Sequence, residues 1–230
     1  MKKIGLVGGI GPASTVEYYR GIIEKCHKEQ GENVYPEIVI DSVNMWQYDT
    51  ALWEKAYERL GGYLISSLSN LKAAGAELAA ITANTEHIIW DMVCDKFPLP
   101  VISIVDVTIG EIKRRGFNRV LVFGTTFTLR SGLYQNALIQ NGITAIIPSD
   151  SDISIIGSLI YPKLENGIVI PDDRHKLISL AEKYIAQEKA DAMILGCTEL
   201  PLAIKPSDIS VPILNTTKIH IKEIYQNAIA

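Results

Sequence analysis

The side chains most able to do chemistry are one cysteine and a set of hydroxyls and amides in two similar turns. The first turn reads Thr-Ala-Asn-Thr at residues 82–85, and the second reads Gly-Cys-Thr-Glu at residues 196–199. A thiol can remove or return a proton, and nearby backbone N–H groups can hold an anion. The two turns therefore predict an active site in which Cys197 is the reactive group.

Both turns belong to a longer repeat. Each copy has alanine and an acid, then an apolar run, then a polar turn, and Ala83 stands in the first copy where Cys197 stands in the second. Such a repeat predicts a duplicated α/β unit rather than a short-period solenoid. The matching segments are residues 3–9 with 119–125, 76–85 with 190–199, and 99–104 with 211–216.

Short apolar runs alternate with longer helical patterns, which is typical of parallel sheets covered by helices. We predict an α/β fold of two pseudo-symmetric doubly wound lobes, each with a roughly four-stranded parallel sheet, and an active site in the cleft between them. The predicted strands are 3–7, 37–41, 78–82, 101–104, 119–123, 145–147, 192–195 and 212–214. The predicted helices include 13–30, 52–74, 131–141 and 174–188.

The last helical segment follows a strand that resembles the one ending the first half of the chain. We therefore expect this segment to pack back on the first half. The predicted domains are residues 1–104 plus 217–230 for lobe 1 and residues 105–216 for lobe 2.

Composition excludes several classes of protein. The formal net charge is −4 and no cluster of Lys and Arg forms a basic face, which argues against nucleic-acid binding. No apolar run reaches the roughly 18 residues of a membrane span, and glycines interrupt the first apolar run too early for a signal peptide. Three widely spaced cysteines fit a reducing cytoplasm, and the chain has no CxxC, HExxH or His/Cys cluster for a metal.

Gly, Thr and Asn follow the carboxyl ends of several predicted strands, where open α/β sheets bind ligands. These residues offer backbone N–H groups at helix N-termini, which suit a carboxylate. Thr and Asn are also ordinary N-caps. Their occurrence at both equivalent turns of the repeat favours an anion site.

The motifs together resemble the aspartate/glutamate racemase family, whose members work without pyridoxal phosphate. They are Gly-Gly-x-Gly at residues 8–11, Asn-Thr-x-His at 84–87 and Gly-Cys-Thr-Glu-Leu at 196–200, and the similarity extends over essentially the whole chain. The resemblance implies a cytoplasmic isomerase, no cofactor, a small amino-acid or carboxylate substrate, and a homodimer.

In that family two thiols act on opposite faces of the substrate α-carbon, one removing the proton and the other returning it. The resemblance makes Cys197 one of these thiols, and a helix N-terminus after it predicts a lowered pKa. His87, three residues after Asn84, is expected either to orient the substrate or relay a proton, or to be an ordinary helix-face histidine that makes a cap. Glu199 is expected to hydrogen-bond nearby amides rather than react. Cys26 and Cys94 are predicted to be structural. The implied substrate-binding residues are Gly9, Ile10, Gly11, Asn84, Thr85, Thr126, Thr128, Lys163 and Thr198.

Ala83 departs from the family pattern, which places the first thiol immediately before Asn-Thr. Alanine has no proton to give, and the hydroxyls of Thr82 and Thr85 are far weaker bases than a thiolate. Three explanations are open. The chain carries an engineered alanine; a water, His87 or another group carries the second proton; or the protein runs one-thiol chemistry, such as decarboxylation of malonate-like acids or isomerisation of a small dicarboxylic acid.

Selectivity is a second departure. Relatives specific for acidic substrates often place an arginine soon after the second strand and a lysine after the sixth. Residues 41–48 contain no arginine here, and Lys163 is shifted by about two residues. Met45, Trp46 and Tyr48 would line a more apolar side-chain pocket or pack a lid or dimer contact, so the substrate need not be aspartate.

Two other classes of protein compete with the racemase interpretation. Gly9-x-Gly11-x-x-Ser14 resembles a dinucleotide fingerprint, but the third glycine is absent and Asp41 lies farther on than about twenty residues. A non-catalytic sensor of small carboxylates is the stronger alternative, because one catalytic position is lost. A sensor would bind an amino acid without exchanging its α-proton, whereas a dehydrogenase would bind NAD.

Overall fold

The computed structural model describes all 230 residues. The chain folds as two compact units: unit 1 comprises Met1–Ile104 and Thr217–Ala230, and unit 2 comprises Val105–Thr216. Each unit is a four-stranded parallel sheet with helices, so the predicted α/β fold class is confirmed.

In chain order the strands are β1 (Ile4–Gly8), β2 (Ile38–Ser42), β3 (Leu78–Ile81), β4 (Val101–Ile102), β5 (Arg119–Gly124), β6 (Thr144–Ile146), β7 (Ala192–Gly196) and β8 (Ile213–Asn215). The helices are α1 (Pro12–Gln30), α2 (Met45–Trp53), α3 (Tyr57–Ala73), α4 (Trp90–Val93), α5 (Ile104–Arg115), α6 (Thr126–Arg130), α7 (Leu133–Gln140), α8 (Asp150–Ile160), α9 (Pro171–Glu188), α10 (Leu200–Ala203) and α11 (Thr216–Ile229). Short 3-10 helices cover Thr85–Ile89, Cys94–Lys96, Leu164–Asn166 and Pro206–Asp208.

The sequence repeat corresponds to a structural repeat. The strand orders are β2-β1-β3-β4 and β6-β5-β7-β8, which are the same topology. The register also matches, because Val7 pairs with Ile81 in unit 1 and Phe123 pairs with Leu195 in unit 2. Ala83 and Cys197 each lie two residues beyond these pairs, so they occupy equivalent positions in the two sheets.

The acid of each repeat has a structural role. The Glu77 carboxylate accepts a hydrogen bond from the Lys3 backbone N–H at 2.9 Å, and the Asp191 carboxylate accepts one from the Arg119 backbone N–H at 3.1 Å. Each bond links the start of one central strand to the residue that precedes the other central strand of the same sheet. The acid therefore helps to fix the register of the two central strands.

Apolar residues cover both faces of the sheet in unit 1. Ile4 and Leu6 face a cluster that includes residues of α1 and α11, whereas Val7 faces α2 and α3. Burial of strands on both faces explains why they read as continuous apolar runs. Within unit 1, α11 packs on the first half of the chain, as Ile221 and Ile224 join the cluster around Tyr18.

One predicted helix is wrong. The segment 52–74 was expected to be continuous, but α2 ends at Trp53 and α3 begins at Tyr57. Lys55 has φ of 54°, a left-handed conformation that closes α2, and the Ala56 N–H donates to the Ala51 carbonyl. The apolar pattern conceals this break because residues on both sides of it face the same core.

No helix in the chain combines the length and the apolarity that crossing a bilayer requires.

Candidate active site

Polar turns follow the two central strands of each sheet. In unit 1 the turns after β1 and β3 hold Gly9–Gly11 and Ala83–Thr85, and in unit 2 the turns after β5 and β7 hold Thr125–Thr128 and Cys197–Glu199. Because parallel strands end at one edge of a sheet, the two turns of each unit lie side by side. Each unit thus presents one polar edge.

The thiol of Cys197 faces a carboxylate. Its Sγ lies 3.1 Å from Oε2 of Glu199, and the Thr198 hydroxyl donates to the same oxygen at 2.6 Å. Sequence reasoning expected Glu199 to accept from backbone amides instead. The structure makes it the acceptor for both the thiol and the hydroxyl beside it, a geometry suited to moving the thiol proton.

The pKa of Cys197 is raised well above its ordinary value, first by burial and then by the negative charge of Glu199. The backbone N–H groups of Glu199 and Leu200 act on the sulfur in the opposite direction, as a helix N-terminus should. The expected net lowering of the pKa is therefore wrong. Cys197 is 5% exposed, and α10, which follows it, is a single turn, so desolvation wins.

A buried tyrosine supports the thiol turn. A Cβ on Gly196 would meet the Tyr134 ring at 3.2 Å, and the Tyr134 hydroxyl interacts with those of Thr108 and Thr216. Thr216 in turn donates to the carbonyl of Leu195 at 3.0 Å. Sequence reasoning missed this support, and the glycine before the cysteine was its only local sign.

The threonines after β5 have different environments. Thr125 is the N-cap of α6, accepting from the Thr128 N–H, and its hydroxyl lies 3.1 Å from that of Thr128. Thr128 is buried within this capping pair. A Cβ on Gly157 would overlap the Thr126 hydroxyl, so that hydroxyl faces α8. Of the two predicted binding residues, Thr126 is the more accessible.

The turn after β1 in unit 1 depends on glycine. Gly9 has φ of 88°, and a Cβ there would overlap the backbone of Val43. Its N–H donates to the Thr15 hydroxyl at 2.8 Å. Ile10 is buried in the core, and Gly11 is the N-cap of α1 without a side-chain bond.

Ala83 is 9% exposed and belongs to the same apolar cluster as Ile10 and Tyr48. Asn84, next to it, is buried, whereas Thr85 is half-buried at the start of a 3-10 helix. The carbonyl of Asn84 accepts from the His87 N–H at 3.1 Å. The methyl group at position 83 therefore packs as part of the core.

The hydroxyl of Thr82, a conceivable substitute for the missing thiol, is already hydrogen-bonded within the sheet. The residue is fully buried, and its hydroxyl donates to the carbonyl of Val7 at 3.0 Å. Its own carbonyl accepts from the Ser14 hydroxyl at 2.6 Å. The hydroxyl of Thr82 thus belongs to the packing of β1 against β3.

His87 has the geometry of an orienting residue. Its Nε2 accepts from the Ile104 N–H at 3.4 Å, so the proton lies on Nδ1. That nitrogen faces the carbonyls of Ala83 and Asn84 without ideal hydrogen-bond geometry. Burial lowers the pKa of His87 to about 4, and the ring stacks on Trp90 at 5.2 Å. A neutral imidazole therefore braces the Ala83–Asn84 turn against the start of α5.

The residues suggested for selectivity separate in the structure. Lys163 is exposed in the turn after α8. Trp46 is 66% exposed and makes an edge contact with Trp53 at 5.4 Å, whereas Tyr48 is fully buried and packs on Tyr63. Of this set, Tyr48 alone lies in the apolar cluster that contains Ala83.

The chain is similar to known racemases along its whole length. The model of the Asp/Glu/Hydantoin racemase family matches residues 7–224. The broad specificity amino-acid racemase RacX of Bacillus subtilis strain 168 is 25% identical over 219 residues, which cover 93% of this chain and 92% of that protein.

Two crystal structures match over 100% of both chains. An aspartate racemase homologue from Pyrococcus horikoshii OT3 has a TM-score of 0.88 and 35% identity. A candidate Asp/Glu racemase from Yersinia pestis has a TM-score of 0.92 and 31% identity. The similarity therefore includes both units and both polar edges.

Proposed function

The chain belongs to the Asp/Glu/Hydantoin racemase family, and on this basis we propose that it is an amino-acid racemase that works without a cofactor and exchanges the substrate α-proton through Cys197. The observation that carries the proposal is the contact between Cys197 Sγ and Glu199 Oε2 at 3.1 Å. It gives the thiol a proton acceptor at the edge where α/β sheets bind ligands.

The first step transfers a proton from Cys197 to Glu199. Its carboxylate takes the S–H proton of Cys197, and the thiolate takes the α-proton, leaving a carbanion whose charge spreads into the substrate carboxylate. The raised pKa of the thiol keeps it protonated at rest. A thiolate that forms only when substrate is bound is also a strong base, because its pKa is high.

Backbone N–H groups and small polar side chains hold the substrate carboxylate and stabilise the charge that develops there. We assign this role in unit 2 to Thr198 and Thr126. Asn84, Thr85 and the turn of residues 9–11 offer groups of the same kind at the edge of unit 1. His87 acts as a positioning residue for the Asn84 turn. Lys163 and Thr128 are the two predicted binding residues whose surroundings support the role least.

Because residue 83 is alanine, no thiol at that position can return a proton to the substrate α-carbon. With Thr82 bound to Val7 and His87 neutral and braced, neither replaces it directly. We therefore expect exchange of the α-proton to exceed inversion of configuration.

The test is proton NMR in D₂O with both enantiomers of a panel of amino acids. Loss of the α-proton signal, with inversion slower than exchange, is the expected result. The Cys197→Ser variant should lower both by about 10²- to 10⁴-fold. Cys26→Ser is the matched control, because that thiol is buried in α1 and donates to the carbonyl of Val34.

Three other outcomes are informative. Exchange from one enantiomer without inversion would mean that the protein removes and returns the α-proton on one face of the substrate only. Equal activity in Cys197→Ser removes the thiol from the mechanism. No exchange with any amino acid overturns the racemase proposal.

A one-thiol decarboxylase is a second candidate, favoured by the combination of Ala83 with a protonated Cys197. Loss of CO₂ from a malonate-like acid leaves a carbanion that needs one proton, and the thiol can supply it. Release of CO₂ from a 2-substituted malonate, absent in Cys197→Ser, would support this candidate. Binding of an amino acid with neither reaction would instead indicate a carboxylate sensor.

A further inference from the structure

The backbone immediately before Cys197 is closely packed. A Cβ on Gly196 would lie 3.1 Å from the carbonyl oxygen of Phe123, and 3.2 and 3.4 Å from two carbons of the Tyr134 ring. Phe123 belongs to β5, which pairs with β7 as far as Gly196, and Tyr134 belongs to α7. The α-carbon that precedes the thiol is therefore packed against both a strand and an aromatic ring.

The ring of Tyr134 is itself held in place. Tyr134 is 1% exposed, and its hydroxyl is hydrogen-bonded to those of Thr108 and Thr216, which are both fully buried. A buried hydroxyl that loses its partner destabilises the fold, so these bonds constrain the ring. The ring that touches Gly196 is thus fixed by two further residues of unit 2.

Thr216 connects Tyr134 to the strand that carries the thiol. Its hydroxyl donates to the carbonyl of Leu195 at 3.0 Å, and Leu195 is the residue before Gly196 in β7. Tyr134 therefore acts on the end of β7 at two points, through its ring at Gly196 and through Thr216 at Leu195. Both points lie within two residues of Cys197, and every residue involved belongs to unit 2.

The thiol depends on this end of its turn for a fixed position. Cys197 Sγ lies 3.1 Å from Oε2 of Glu199, and α10, which follows the turn, has only four residues. A misplacement of about 1 Å can lower a reaction rate by about 10²-fold. A single helical turn gives little anchorage on one side of the sulfur, so the packing of Gly196 on the other side must supply it.

We propose that Tyr134 is a positioning residue for the reaction at Cys197, and that its ring and hydroxyl hold the end of β7 so that the sulfur stays within hydrogen-bond distance of Glu199. This role rests on the proposed function, because it concerns the thiol that exchanges the α-proton. It goes beyond that function by making the rate depend on a side chain of a separate helix, α7.

The experiment removes each hydroxyl with the smallest change of shape. Tyr134→Phe keeps the ring, and Thr216→Val keeps the branched side chain. In each variant kcat for α-proton exchange in D₂O should fall by about tenfold with KM within about twofold of wild type, because the sulfur is misplaced and the substrate-binding groups are not. The double variant should lose no more than the larger single loss, since both hydroxyls act through one connection.

Alkylation of Cys197 gives a second readout that does not depend on turnover. The thiol is 5% exposed, so iodoacetamide should react with it slowly in wild type and at least about threefold faster when the turn is loosened. Mass spectrometry of the same samples also reports Cys26, a fully buried thiol of unit 1. The alkylation rate of Cys26 should not change, because only a wider loss of the fold would expose it.

Two variants are matched controls. Thr216→Ser keeps the hydroxyl and should retain kcat within about twofold of wild type. Tyr184→Phe removes another buried hydroxyl of unit 2, one that donates to Asp152 at 2.6 Å, and should change neither kcat nor the alkylation of Cys197. Circular dichroism and the unfolding midpoint establish that each variant is folded. If Tyr134→Phe does not fold, the comparison of Thr216→Val with Thr216→Ser decides.

Failure of the positioning role and failure of the function are distinguishable. An unchanged kcat in Tyr134→Phe and Thr216→Val, a change confined to KM, or an equal rise in alkylation at Cys26 and Cys197 overturns the role while the racemase stands. If no amino acid exchanges, alkylation decides the role alone. Faster alkylation at Cys197 only supports the role, and unchanged alkylation overturns it.

Discussion

The polar edges of units 1 and 2 have the same backbone plan and opposite chemistry. Two residues past equivalent strand pairs, unit 2 presents Cys197 and unit 1 presents Ala83. Around Cys197 the structure places a carboxylate that can accept its proton. Around Ala83 it places a neutral imidazole, a buried carboxyl and core packing. The duplicated fold therefore repeats the backbone position but not the side chain that occupies it.

Burial acts on both edges in the same way. It keeps Cys197 and Glu86 protonated by raising the pKa of each, and it keeps His87 neutral by lowering its pKa. His220, a buried residue of α11 whose ring bonds the Tyr18 hydroxyl, is kept neutral in the same way. What differs is the partner. Cys197 has Glu199 within hydrogen-bond distance, whereas one oxygen of Glu86 has no partner in the protein. The edge of unit 2 thus places a proton acceptor beside a thiol, and the edge of unit 1 places core packing at the equivalent position.

The largest expected effect in this comparison comes from Glu199→Gln. Removing the acceptor should slow α-proton exchange by about 10²-fold or more. Because the negative charge of Glu199 also raises the pKa of Cys197, the variant should form thiolate at lower pH than wild type. Exchange rates and ultraviolet absorbance of the thiolate against pH measure the two effects.

Glu188→Gln is the control for this prediction, since Glu188 is an exposed carboxylate of the same unit. An unchanged exchange rate in Glu199→Gln would contradict the proton path from Cys197 to Glu199.

Ala83→Cys should have the next largest effect. A thiol at this position restores the second proton carrier, and we expect the ratio of inversion to exchange to rise by about tenfold or more. Ala83→Ser adds a hydroxyl of similar size that is a far weaker acid and base, so it should leave the ratio near that of wild type. Chiral chromatography and NMR exchange on the same samples give both rates. Equal ratios in all three proteins would show that another group already returns the proton.

The sequence predicted the fold well because the information it needs is local. Apolar runs and polar turns mark all eight strands to within two residues, and the acid at Glu77 and Asp191 repeats because each binds the neighbouring strand. The helix break at Lys55 was missed because a left-handed residue need not be glycine.

The chemistry of the site was predicted less completely, because burial is set by distant parts of the chain. A helix N-terminus after Cys197 is visible in sequence and predicts a lower pKa, but the desolvation that outweighs it is not. Nothing local distinguishes Glu86 from an exposed glutamate in a first helical turn. Tyr134 likewise reaches Gly196 from a separate helix.

A third prediction compares the turns after β1 and β5. Gly9→Ala should lower the free energy of unfolding by about 2–3 kcal/mol, because a side chain at φ of 88° is strained and would overlap Val43. Thr125→Ala, at the equivalent turn of unit 2, removes only a capping bond and should cost about 1 kcal/mol. Denaturant unfolding of both variants gives the difference. Equal costs would mean that the first turn relaxes without strain.

The remaining prediction is a dependence of stability on pH that arises in unit 1. The folded-state pKa values of His87 and His220 are lowered to about 4 and about 3. As pH falls below about 6.5, the unfolded chain binds protons at these histidines and the folded chain does not, so the free energy of unfolding falls. The folded-state pKa of Glu86 is raised from 4.5 to about 8, so its contribution is present at low pH and is lost as pH rises between those values.

Because their slopes are opposed, the joint contribution of these three groups to stability is largest near pH 6.5. Each group changes the free energy of unfolding by about 1.4 kcal/mol per pH unit within its window. Below pH 6.5 the two histidines outweigh Glu86, and between pH 6.5 and 8 Glu86 acts without them. Glu86→Gln should therefore abolish the decline between pH 6.5 and 8 and leave the acid side steeper than in wild type. Urea unfolding at intervals across this range measures both slopes, and a decline that persists in Glu86→Gln would place its origin outside the unit 1 edge.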